Sequence, residues 1–116
     1  MSDRLEEFSN YRQQMNARIA QIDHLGIKRF LNLDTQAYTD GALPAKTKEL
    51  LGLVASMVLR CNDCIDYHII QCIDAGWTDT ELYEAFNVAL IVGGSIVIPH
   101  LRHAVESVDL YQAKIS

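Results

Sequence analysis

The sequence predicts an all-α chain. Long stretches rich in Leu, Ala, Glu, Gln and Met favour helix. No segment alternates apolar and polar residues as a half-buried strand would. Two prolines and most of the six glycines stand at candidate boundaries between these stretches, next to side chains able to cap helices.

The first helix is expected over about Asp3–Asp23. Phe8, Tyr11, Met15, Ile19 and Ile22 recur there at spacings of three and four and form one apolar stripe. The stripe serves either the domain's own core or a neighbouring subunit. Residues Leu25–Gly41 are irregular. Phe30, Leu31, Leu33 and Tyr38 call for burial, a short helix fits Lys28–Leu33, and Asp40-Gly41 is a turn signal. A helix opens near Pro44, where a missing N–H leaves no bond unmade. Leu50, Val54, Met57 and Val58 give it an apolar face, and Gly52 permits a close helix contact. Asn62 and Asp63 can cap a new helix, so a break is expected near Arg60. That next helix runs to Ala75, with Gly76 as its stop and Trp77 as the apolar contact after it. Thr78-Asp79-Thr80-Glu81 spells a capping box and opens a helix ending at Gly93-Gly94. Ser95 can cap the last helix, which tolerates Pro99 in its first turn and is expected to end near Gln112. The reading is of five helical segments, with a short helix at Lys28–Leu33 fitting between the first two.

At 116 residues the chain is one domain. It divides into an N-terminal amphipathic helix (1–25) and a helical domain (26–116). Lys plus Arg is 10 and Asp plus Glu is 15, a formal charge of 10 − 15 = −5. An acidic chain without a basic cluster is a poor partner for nucleic acid or an anionic membrane. No apolar run is long enough to cross a bilayer. The charged start MSDRLEEF lacks the apolar centre of a signal peptide, so a cytoplasmic location is expected. Three cysteines, an odd number, do not make a secreted disulfide scaffold. In a reducing compartment they are catalytic, metal-binding or buried.

Cys61-Asn62-Asp63-Cys64 is a CxxC followed by His68. Spacings of three and four put both thiols and the imidazole on one helix face. A helix N-terminus favours thiolate, the reactive form. His68, one turn past Cys64, can take or return its proton. Glu49 can orient that base. It lies 11 residues before Arg60, and His68 lies 8 after it. In an antiparallel hairpin the two heights then differ by roughly 4–5 Å. Cys72 lies two turns beyond Cys64, too far for a disulfide with it, and reads as a buried structural cysteine. A zinc site built on Cys61, Cys64 and His68 stays open, although a fourth ligand is missing nearby. His100, His103 and Glu106 share a face of the last helix but do not form the Glu-x-x-His pairs of a di-iron bundle. Capped or partly exposed roles are expected of them. His24 carries no signal.

Glu49-x11-Cys61-x2-Cys64-x3-His68 resembles the signature of alkylhydroperoxidase D-like proteins of the carboxymuconolactone decarboxylase superfamily. The Lys-Glu-Leu run, the Ala-Gly-Trp-Thr turn, the cap centred on Glu81 and the Gly-Gly are similar to that family's landmarks. The resemblance covers roughly residues 26–112. It implies a compact helical domain built on an antiparallel hairpin, homo-oligomers (trimers or hexamers) and thiol-dependent reduction of hydroperoxides. Under that implication Cys64 attacks the peroxide, Cys61 resolves the sulfenic acid as a disulfide, and Glu49 and His68 relay the proton. An external dithiol then reduces the pair. Neither cofactor nor metal is called for. The dipole argument alone favours Cys61 as the nucleophile. The resemblance, and the single turn between Cys64 and His68, favour Cys64. One departure is Asp63, where characterised members carry histidine; a carboxylate beside a thiol disfavours thiolate. The alternative is a non-redox relative, a decarboxylase-like enzyme on a small acidic lactone or a scaffold with inert thiols, its pocket lined by His100, Arg102 or His103.

Overall fold

A computed structural model describes residues 2–116 and is helical throughout, with no strand among the described residues. Six α-helices follow one another: α1 Arg4–Ala20, α2 Leu25–Ala37, α3 Ala45–Leu59, α4 Asn62–Asp74, α5 Asp79–Gly93 and α6 Ile98–Ile115. A 3-10 turn at Ser95–Val97 leads into α6. Helix α3 packs on α4 and α5, and α4 packs on α6. Leu53, Met57, Ile65, Ile69, Leu82, Phe86, Ala104 and Val108 meet between them. Each of the larger side chains gains about 1.5–3 kcal/mol by leaving water.

The α3–α4 hairpin turns tightly because Arg60 takes a left-handed conformation (φ 62°, ψ 43°). Beyond Asp74 the chain stops in a Schellman motif, since Gly76 (φ 100°) lets its own N–H reach Ile73 O and the N–H of Trp77 reach Cys72 O, both at 3.0 Å. Trp77 then ties back to the start of α3. Its Nε1–H donates to Lys46 O (2.9 Å), and the Lys46 ammonium sits 4.1 Å over its ring. The capping box at Thr78 and Glu81 is complete.

Several elements differ from expectation. The short helix expected at Lys28–Leu33 is longer, α2 over Leu25–Ala37, and His24 caps its start by accepting the N–H of Ile27 (3.2 Å). No residue of α2 is buried. The cap of α4 is Cys61, whose sulfur accepts the N–H of Cys64 (3.3 Å), rather than Asn62 or Asp63. Pro44 occupies the N-cap position of α3, without a side-chain bond. Ser95 starts the 3-10 turn and does not cap α6, which runs on to Ile115. The stripe on α1 does not dock on the core. Leu5, outside the stripe, is the buried residue of the helix, while Tyr11 in the stripe is 67% exposed.

Helix α1 is held at its start. Arg4 lies across the α4–α6 seam. It donates from Nε to Glu106 (2.9 Å), from Nη1 to Asp66 (2.9 Å) and from Nη2 to Ser107 (2.8 Å). Asp66 also accepts from His103 Nε2–H (2.9 Å) and from the Ser107 hydroxyl. A carboxylate this deeply buried is tolerated because each oxygen is paired.

Candidate active site

The α3–α4 hairpin brings Glu49 and His68 together. Both are buried, and His68 Nδ1–H donates to Glu49 Oε2 at 2.8 Å. The carboxylate fixes the proton on Nδ1 and leaves Nε2 as the acceptor. Gly52, one turn past Glu49, makes room for the ring. A Cβ there would stand 2.7 Å from His68 Cε1 and 2.8 Å from its Nε2.

Cys61 and Cys64 are joined as a disulfide at the N-terminus of α4, with Cα atoms 5.3 Å apart. Cys64 is exposed and Cys61 half-buried. Cys64 and His68 line one cavity of about 360 Å³. Helix α1 supplies its other wall through Phe8, Tyr11, Arg12 and Met15. Asp34 and Tyr38 close it from α2 and its C-cap, and Asp63 and Tyr67 from α4. The volume suits a small organic molecule. Phe8, Tyr11, Tyr38 and Tyr67 give the walls aromatic faces among charged and polar groups, and Arg12 lies 4.1 Å over the Tyr67 ring.

Two aromatic partners of His68 were not legible as site residues. Tyr67 meets its ring edge-on at 5.1 Å between centroids. Tyr38 tilts against it at 5.4 Å, with Oη 3.5 Å from Nε2. Burial, together with the Glu49 and Asp34 carboxylates, pushes both phenols above their ordinary range; Arg12 partly offsets this at Tyr67. Tyr38 stood out in the sequence only as an aromatic in need of burial, and no local spacing links it to His68.

Cys72 is a free, buried thiol, pushed up to about 12 first by burial and then by the Glu49 charge. It takes no part in the cavity. His100, Arg102 and His103 do not line it either, contrary to the pocket expected for a non-redox relative. His100 Nδ1 pairs instead with Asn62 Oδ1 (2.8 Å), and His103 with Asp66. No cluster of three or more His, Cys, Asp and Glu side chains fit to hold a metal occurs among the described residues.

Residues 27–107 match the sequence model of the carboxymuconolactone decarboxylase family. A Thermotoga maritima protein of that family, with a suggested involvement in antioxidative response, has a crystal structure 50% identical in sequence. It superposes with a TM-score of 0.87 over 92% of this chain and 91% of its own. A family member from Legionella pneumophila, crystallised in its apo form, is 25% identical, with a TM-score of 0.86 over 95% and 98% of the two chains. Among curated sequences, an uncharacterised protein of the cox locus of Paracoccus denitrificans is 30% identical over 80 residues, 69% of this chain and 72% of its own.

Proposed function

The chain belongs to the carboxymuconolactone decarboxylase family, and we propose that it works there as a dithiol peroxidase of the alkylhydroperoxidase D-like type. One observation carries the reading: an exposed CxxC cysteine shares a cavity with a histidine whose far nitrogen is held by a buried glutamate. Cys64 is the attacking thiol, His68 its base and Glu49 the group that orients the base. Cys61 resolves the sulfenic acid. Its sulfur sits at the N-cap of α4 and takes the N–H of Cys64, a position that favours thiolate. The partners of this reaction are a small hydroperoxide and an external dithiol, and it needs neither metal nor cofactor. The suggested antioxidative part of the Thermotoga relative supports the same reading. The working form is a homo-oligomer. Apolar side chains of α2, α3 and α5 stand open to solvent, among them Phe30 at 69% and Leu59 at 77% exposure.

The test is mass spectrometry of the reduced protein after one equivalent of an organic hydroperoxide, with free thiols trapped. The wild type forms the Cys61–Cys64 disulfide far faster than a free thiol reacts. Cys64→Ser consumes no peroxide, and Cys61→Ser stops at a trappable sulfenic acid on Cys64. Turnover retained in Cys64→Ser would reject the assignment.

A further inference from the structure

We propose that Tyr38 is a catalytic proton donor: it protonates the leaving oxygen of the peroxide and regains a proton from His68, which has taken one from Cys64. The inference rests on the dithiol peroxidase reading and adds the missing half of its proton path. His68 must pass the proton on. Its Nδ1 side is closed by Glu49, so only Nε2 can exchange with the cavity. The phenol of Tyr38 stands at that nitrogen, 3.5 Å away, and lines the cavity that holds Cys64. At 3.5 Å the contact is long for a hydrogen bond, and with His68 pinned by Glu49 the approach that shortens it falls to the Tyr38 ring.

A second observation shows that the meeting is built. Gly52 clears space for both groups: a Cβ there would lie 2.8 Å from Tyr38 Oη as well as against His68. A side chain at residue 52 would force at least one of the two groups to shift. Burial and the nearby carboxylates keep the phenol protonated until an alkoxide appears beside it.

The Cys64 thiol gives its proton to His68 Nε2, and the thiolate attacks the terminal peroxide oxygen. The S–O bond forms as the O–O bond breaks. Sulfur loses two electrons to give the sulfenic acid, and the other oxygen leaves as alkoxide. Tyr38 Oη–H protonates the alkoxide to alcohol, and His68 Nε2–H reprotonates the phenolate. Cys61 then displaces hydroxide from the sulfenic acid. The S–S bond forms, and the Cys61 proton completes a water.

The test is the leaving-group dependence of disulfide formation in Tyr38→Phe, which keeps the ring and removes one oxygen. With an alkyl hydroperoxide the leaving alkoxide needs a proton, and the variant loses about 10²-fold or more in rate. With peracetic acid the leaving carboxylate needs none, and the variant keeps the wild-type rate. The solvent deuterium isotope effect with the alkyl hydroperoxide falls in the variant. Equal loss with both oxidants would make Tyr38 structural, and loss with neither would remove it from the mechanism; either result overturns the proposal. Failure of the wild type to outpace a free thiol with either oxidant would instead sink the peroxidase reading, and this inference with it.

Discussion

Glycine 52 is the smallest residue near the site and one of the most constrained. It sits on α3 where His68 of α4 and Tyr38 from the end of α2 both press inward. The His68 ring has little freedom to retreat, because Glu49 pins its other edge at 2.8 Å. We expect Gly52→Ala to be destabilising by about 1–3 kcal/mol, as small-to-large changes in packed interiors are. It should also slow peroxide-driven disulfide formation. Thermal unfolding and rapid-mixing kinetics on one preparation check both effects. A variant with wild-type rate and stability would mean that the three-way contact is slack. The sequence marked Gly52 as a place of close approach and marked Glu49, Cys61, Cys64 and His68 by spacing, because those residues lie on two consecutive helices whose register can be counted. Tyr38 escaped. It reaches His68 across thirty residues of chain, through a contact that no periodicity encodes.

At the level of elements, the helices from α3 to α6 were legible because their ends carry strong local chemistry. Pro44, Gly76, Thr78 with Glu81, and Gly94 act within a turn of themselves. Helix α2 was underread because its cap is a histidine, a weak signal, and its apolar residues find no core in one chain. Helix α1 was legible as a helix, but its role was not. Arg4 holds it through a network that no sequence pattern displays, and its apolar stripe becomes a cavity wall. We expect Arg4→Ala to free the start of α1. The change removes a charge partner from a buried carboxylate, which in full burial costs about 3–5 kcal/mol. Arg4 is 35% exposed, and Asp66 keeps His103 and Ser107. The loss should therefore fall between the exposed and the fully buried cases, at about 1–2 kcal/mol. Urea denaturation measures it. Amide exchange should quicken along α1 while α3 and α4 stay protected. Uniform loss of protection would show that α1 is part of the global folding unit.

The whole molecule is more open than its length requires. Its radius of gyration is 14.9 Å, against about 13 Å for a compact domain of this size. The excess comes with exposed apolar surface. A groove between α3 and α5 is walled by Leu51, Val54, Val58, Leu59, Val88 and Val92, almost without polar atoms. In a homo-oligomer these walls are covered. Sedimentation should therefore find the protein well above its 13.1 kDa chain mass. Val88→Asp should shift it toward smaller species. A wild-type monomer at micromolar concentration would refute the oligomer. No helix among the described residues is long and apolar enough to cross a membrane, so burial in a bilayer through such a helix does not account for that surface.

The α3–α4 hairpin has a further consequence for how this protein can change over generations. Every group assigned to bond making and proton transfer lies in one continuous stretch, from Tyr38 to His68. Much of the wall facing a substrate comes from elsewhere, from Phe8, Tyr11, Arg12 and Met15 on α1. Mutations in that upstream stretch can reshape which molecule enters while the reactive stretch is inherited unaltered. Diversification among relatives should therefore concentrate in the residues of α1 that face the cavity. A chimera carrying a relative's first helix should exchange preference between peroxides while keeping the same sulfur chemistry.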